Sequence, residues 1–185
     1  QIDKRRQAQL PYRVAWDGRC ASGKTTTATL IAEKYQKEGF PCDVVHMDDF
    51  FLQPNQRTSA RLAEPGGNVD YERHEAEVLQ PAKRGMTVSY RRFDCSRMEL
   101  TAMRTFQPQG ILLVEGAYSC HPKLREYFDL RIFVSIDPEA QMQRILLRNG
   151  SERAEMFRNR WIPLEENYIA QCQVEEVCDL HLCAD

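Results

Sequence analysis

The run Gly18-Arg19-Cys20-Ala21-Ser22-Gly23-Lys24-Thr25 has the spacing G-x-x-x-x-G-K-[ST] in full. Those residue types suit one task, the binding of a nucleotide's phosphates. Glycines let the main chain fold tightly enough for its N–H groups to surround phosphate oxygens. A helix starting at the lysine adds its positive end. Lys24 is expected to reach the β- and γ-phosphates, and the Thr25 hydroxyl to sit on Mg2+. Nucleotide contacts are therefore expected at Gly18, Arg19, Cys20, Ala21, Ser22, Gly23, Lys24, Thr25 and Thr26.

Moving a phosphoryl group onto a hydroxyl needs more than this cradle. A group must orient and deprotonate the acceptor, and the metal needs ligands. Met47-Asp48-Asp49-Phe50 follows an apolar strand-like run. Side chains alternate along extended backbone, so one of the two acids should face the phosphates. The expectation is Asp48 as base and metal ligand, with Asp49 as a structural or capping acid. Glu115 ends the apolar run Ile111-Leu112-Leu113-Val114. An acid delivered in that way is expected to hold Mg2+ through water or to orient the substrate, while Gly116 lets the chain turn close by. Arg144 and Arg148 are four apart, on one helical face. Arg153, Arg158 and Arg160 follow across Asn149-Gly150-Ser151, which reads as a break. The segment 148–162 is expected to form a lid that brings guanidinium groups, Arg148 and Arg153 foremost, to the charge in transit. The plainer reading is a solvated basic helix paired with Glu152 and Glu155.

These residues need elements to hold them. Apolar runs alternate with helical patterns, as in an α/β fold with a largely parallel sheet. Strands are expected at Tyr12 to Trp16, Asp43 to Met47, Thr87 to Phe93, Ile111 to Val114, Leu130 to Ile136 and Asp179 to Leu182. A helix is expected from Lys24 to Glu38, stopped at Gly39. Asp70 reads as the N-cap of a helix that has Pro81 near its end, and Asp137-Pro138 as the cap and first position of another. Gln53 to Asn68 reads as an irregular excursion. His46 is expected in the core or behind the site, His74 on a solvated helix face, and Trp16 and Trp161 in packing. Tyr71, Arg73 and Arg97 are weaker pocket candidates.

At 185 residues the length suits one domain, 1–185, and supports a real core. Lys+Arg is 25 and Asp+Glu is 27, a net charge of −2, which disfavours a nucleic-acid partner. Lys4-Arg5-Arg6 reads as a solvated face. No apolar run approaches a membrane span. The seven cysteines include no C-x-x-C pair, and Cys172, Cys178, His181 and Cys183 match no common zinc spacing. Free thiols and a cytoplasmic setting are the expectation. Homo-oligomerisation stays open.

Taken together, Gly18–Thr25, Met47-Asp48-Asp49-Phe50-Phe51, Asn68-Val69-Asp70, Glu115-Gly116 and the Arg148–Arg160 segment resemble the uridine kinase / phosphoribulokinase-like group of P-loop kinases, with nicotinamide riboside kinase a close relative. The resemblance implies an NMP-kinase-like sheet of five parallel strands, the phosphate-loop strand central. It implies transfer of the ATP γ-phosphate, with Mg2+, to a small-molecule hydroxyl. By the same resemblance Asp48 falls on the base, Asp70 on a ribose-binding acid and Glu115 on the Glu-Gly acid. Arg148, Arg153 and Arg158 fall on lid arginines. The acceptor side departs from the pattern. Tyr71-Glu72-Arg73-His74 replaces a Pro- and Phe-containing stretch, and Phe93-Asp94 stands where a Tyr-Asp pair lies near the base pocket. The acceptor expected from the resemblance is a nucleoside (uridine- or cytidine-like) or related ribosyl compound, or else pantothenate, a sugar phosphate or a nucleotide. A P-loop ATPase or switch is the rival reading, though no Asn-Lys-x-Asp and no Asp-x-x-Gly after the third strand accompany it.

Overall fold

The computed structural model describes Ile2 and residues 11–184; Lys4-Arg5-Arg6 lies outside the described residues. Five strands form one parallel sheet: β1 (Tyr12–Gly18), β2 (Cys42–His46), β5 (Ile111–Glu115), β6 (Leu130–Ile136) and β7 (Leu180–Ala184). Their order is β2-β5-β1-β6-β7, so β1 is central. Between β2 and β5 the chain makes a separate antiparallel hairpin, β3 (Val88–Asp94) and β4 (Glu99–Phe106), with a bulge between Arg91 and Phe93.

The central strands are buried on both faces, and alternation sorts their side chains between two cores. Val14, Trp16, Ile111, Leu113, Ile132 and Val134 meet α1 (Lys24–Lys37) through Ala28, Ala32 and Tyr35. That 4-then-3 spacing is one helical stripe. Ala15, Leu112, Val114 and Phe133 face the opposite core, with Val45, Phe50, Val78, Leu79 and Tyr168.

After β2 the chain makes a single 3-10 turn over Met47–Phe50. The excursion that follows carries a short helix, α2 (Ser59–Ala63). Tyr71–His74, Glu75–Leu79 and Gln80–Lys83 run on as one helix, α3, with a wide turn in the middle. Asp70 caps it, accepting from the Arg73 amide. Asp137 caps α4 (Pro138–Asn149) by accepting from the Glu139 and Ala140 amides. Gly150 then breaks the chain at φ 78°. Beyond it Ser151–Met156, Phe157–Trp161 and Ile162–Gln171 form one helix, α5, widened at Phe157–Trp161. A short α6 (Val174–Val177) leads to β7. Among the described residues no helix is long and apolar enough to cross a membrane.

Candidate active site

The carboxyl ends of β2, β5 and β1 lie side by side. Trp16 and His46 are both in register with Glu115. Three segments that are far apart in sequence therefore open onto one crevice, as open α/β sheets favour.

The loop after β1 wraps around its own lysine. The Lys24 ammonium donates to the carbonyls of Gly18 (2.8 Å) and Arg19 (2.7 Å). Gly18 has φ 137°, and a Cβ there would lie 2.1 Å from the Val134 carbonyl oxygen, so the β1–β6 contact requires glycine. Ala21 and Gly23 also take positive φ, and no side chain caps the start of α1. The first amides of that helix are thus left for an anion. Arg19 is a correction to the expected nucleotide contacts. Its amide bonds to the Val134 carbonyl, and its guanidinium turns to Glu166 and Glu175. The charge is used to tie the loop to α5 and α6.

The two adjacent acids do separate, but by a different route from the expected one. They lie in the 3-10 turn, not in extended backbone. Asp48 is exposed to the crevice. Asp49 is buried, accepting from the Tyr90 hydroxyl (3.2 Å) and the Arg92 Nε (3.0 Å). The Asp48 carboxyl is solvent-accessible yet walled by protein. That enclosure, with the Glu115 charge beside it, raises its pKa against the pull of Lys24 and His46.

Glu115 is buried and joins the two halves of the phosphate machinery. It accepts from Thr25 Oγ1 at 3.0 Å and 3.1 Å, and His46 Nδ1 lies 2.5 Å from its Oε1. That hydrogen bond raises the His46 pKa, burial opposing it. His46 therefore supports the site from behind. One hydroxyl and two carboxylates make an all-oxygen set, the kind Mg2+ takes when substrate phosphates complete its shell. Among the described residues no group of three or more His, Cys, Asp or Glu forms a cage that could hold a metal ion.

The crevice has a volume of about 610 Å3. Lys24, Thr25, Asp48 and Glu115 line it together. Phe51 follows the 3-10 turn, Arg57, Leu62 and Asn68 come from the excursion, and Cys95, Ser96 and Met98 come from the hairpin turn. Arg148, Asn149, Arg153, Met156, Phe157, Arg160 and Trp161 come from the α4–α5 region.

Three expected substrate contacts lie elsewhere. Asp70 is consumed as the cap of α3 and by the Gln56 amide at 2.7 Å, and it borders a separate recess. Phe93 is buried beneath the Arg57 guanidinium. Arg158 is exposed and pairs with Glu155 at 2.9 Å, because its place on the helix turns it outward; Arg160 lines the crevice instead. His74 is fully buried against Phe50, not solvated, and burial lowers its pKa to about 3. Tyr71 stacks on His121, Arg73 is held by the Asp49 and Arg91 carbonyls, and Arg97 pairs with Glu99. Trp16 packs in the core as expected, whereas Trp161 borders the crevice.

Two buried acids had no signal in the sequence. Both oxygens of Glu165 lie 2.9 Å from the Cys20 amide nitrogen, and Gln141 Nε2 is 3.3 Å from the same carboxylate. Asp17 accepts from the amides of Gly18, Tyr118 and Cys120 and from the Tyr168 hydroxyl. Acids at such positions read as ordinary helix and strand-end residues until the packing is known.

Residues 14–159 match the family described as "Phosphoribulokinase / Uridine kinase family". Among curated proteins the chain is 23% identical over 148 residues to uridine kinase-like protein 4 of Arabidopsis thaliana, covering 77% of this chain and 31% of that one. It thus spans about a third of that relative's length. It is 25% identical over 143 residues to uridine kinase of Macrococcus caseolyticus, covering 74% of this chain and 68% of the other. Among solved structures it resembles that of a possible uridine kinase from Bacillus stearothermophilus, with a TM-score of 0.71 and 19% identity, covering 92% of this chain and 88% of the other. The phosphate loop at the end of the central strand, the acids beside it and the match over most of the chain agree: this chain belongs to the phosphoribulokinase/uridine kinase family.

Proposed function

We propose that the chain is a kinase that transfers the γ-phosphoryl group of ATP to a hydroxyl of a small molecule, a nucleoside or a related ribosyl or alcohol compound. The observation that carries this reading is the meeting of Lys24, Thr25, Glu115 and Asp48 in one crevice. The loop amides and Lys24 bind the triphosphate. Thr25, Glu115 and Asp48 offer the oxygens that would hold Mg2+, which when bound neutralises charge on the β- and γ-phosphates. Asp48 accepts the acceptor's hydroxyl proton as that oxygen bonds to the γ-phosphorus, and ADP leaves. A raised pKa suits a base working near neutral pH. Gly150, which stands between Arg148 and Arg153, and the widened turn at Phe157–Trp161 are the two joints of a lid over 148–162. Arg148 and Arg153 then meet the migrating charge and the crevice sheds water. The site suits small acceptors; nucleic acid is not among them, and a cytoplasmic location fits these substrates.

The test is ADP release from Mg-ATP against a panel of nucleosides, nicotinamide riboside, pantothenate and sugar phosphates. Turnover with one acceptor, reduced about 100- to 10,000-fold in Asp48→Asn with ATP binding kept, supports the reading. ADP release that ignores every acceptor and the Asp48 substitution would move the assignment to an ATPase.

A further inference from the structure

The wall of the crevice formed by the excursion and the hairpin carries one arginine, and its surroundings set it apart from its neighbours. Arg61, Arg73 and Arg92 are each paired with a carboxylate: Glu72, Glu77 and Asp49. Arg57 has no such partner among the described residues. It is nonetheless held in place. Its Nε donates to the Leu52 carbonyl at 2.9 Å, and its guanidinium lies 5.8 Å over the Phe93 ring. Those two contacts fix the plane of the group and leave Nη1 and Nη2 as the open side of the fork. A planar pair of N–H donors matches the two oxygens of a carboxylate or a phosphate.

Its position relative to Asp48 gives this meaning. Both residues line the same crevice, and Cys95 lies within electrostatic reach of both. The other cations of the crevice, Lys24, Arg148, Arg153 and Arg160, belong to the phosphate loop and the α4–α5 segment, where the nucleotide is placed. Arg57 stands apart from them, on the wall built by the excursion and the hairpin. Asn68 and Ser96 on that wall supply neutral hydrogen-bonding groups beside it, and among the described residues no carboxylate that lines the crevice comes from the excursion or the hairpin.

We propose that Arg57 binds an anionic group of the acceptor. The substrate is then a small hydroxy compound with a carboxylate or a phosphate remote from the reacting hydroxyl. This rests on the kinase reading and narrows it. A neutral nucleoside would leave the fork without a counter-charge in a half-enclosed site, and would be turned over poorly.

Matched acceptor pairs test it with the full chain and Mg-ATP: ribose 5-phosphate against ribose, glycerate against glycerol, and uridine as the neutral nucleoside. The expected result is that the charged member of one pair exceeds its neutral partner in kcat/KM by about 100-fold or more. Whether it is the phosphate or the carboxylate pair names the anion. Arg57→Ala should raise the KM of that acceptor at least about 10-fold while the KM for ATP and the Tm stay near wild type. Arg57→Lys should recover part of the loss. Efficient turnover of uridine, or equal turnover within both pairs, with an acceptor KM indifferent to Arg57→Ala, overturns the anion proposal and leaves the kinase reading standing. ADP release that no acceptor stimulates overturns both.

Discussion

Glu165 on α5 and Cys20 in the phosphate loop are joined by a hydrogen bond in which both carboxylate oxygens lie 2.9 Å from the amide nitrogen. A carboxylate thus occupies one amide of a loop built for phosphate. Burial pushes the Glu165 pKa up to about 7, Asp17 and Glu166 adding to the rise, while Lys24 and the Cys20 amide pull it down. The unfolded chain ionises this group near 4.5. Between those two values the folded state holds the extra proton, so stability falls as pH rises and levels off above about 7. The loss is about 3 kcal/mol. Urea unfolding at pH 5 and pH 8 checks this: Glu165→Gln should flatten that part of the profile. An unchanged slope would place its source in another group.

Asp17 gathers four donors, from Gly18, Tyr118, Cys120 and Tyr168. It ties β1, the turn after β5 and α5 together beneath the phosphate loop. Asp17→Ala leaves those donors without their acceptor and should cost about 3 kcal/mol or more in unfolding free energy. Tyr168→Phe removes one of the four bonds and should cost about 1 kcal/mol. Equal losses in the two variants would refute the shared-acceptor account.

Thr25 and Glu115 contact each other across the crevice floor, so each orients the other. Thr25→Ala and Glu115→Gln should both raise the Mg2+ concentration for half-maximal rate, by about 10-fold or more. The KM for the acceptor should move much less. A titration of rate against Mg2+ at fixed ATP decides it.

Gly18 and Gly150 both have positive φ, with opposite surroundings. Gly18→Ala would drive a Cβ into the Val134 carbonyl, whereas Gly150→Ala meets open space and carries backbone strain alone. The first should abolish nucleotide binding or folding. The second should cost about 1–3 kcal/mol and, if the proposed lid turns at this α4–α5 break, alter kcat while nucleotide affinity is largely kept. Thermal melts with and without ATP separate the two outcomes.

The elements that were legible are those whose signals are local. The phosphate loop is a contiguous pattern between an apolar strand and a helix. Asp70 and Asp137 cap helices where short-range side-chain chemistry says they should. Ile111–Glu115 and Leu130–Ile136 read as strands because each is a short, mainly apolar run bounded by polar residues. β4 has no such signal: none of Glu99–Phe106 is buried, and it is a strand because β3 pairs with it, not because its own pattern demands it.

The sequence by itself determined that a nucleotide loop joins an apolar strand of an α/β sheet to a helix, and that acids stand at the ends of two further apolar runs, because backbone geometry, capping and burial act within a few residues. Only the tertiary structure decided which acids share the crevice. Strand order put Glu115 beside Thr25 and His46, a 3-10 turn faced Asp48 inward and Asp49 into the core, and packing of α5 brought Glu165 and Tyr168 onto the phosphate loop. The same packing spent Asp70 as a cap, turned Arg19 and Arg158 away, and left Arg57 on the crevice wall with no carboxylate partner among the described residues. Where a side chain points depends on contacts dozens of residues away, and such contacts leave no mark on the local pattern of a single chain.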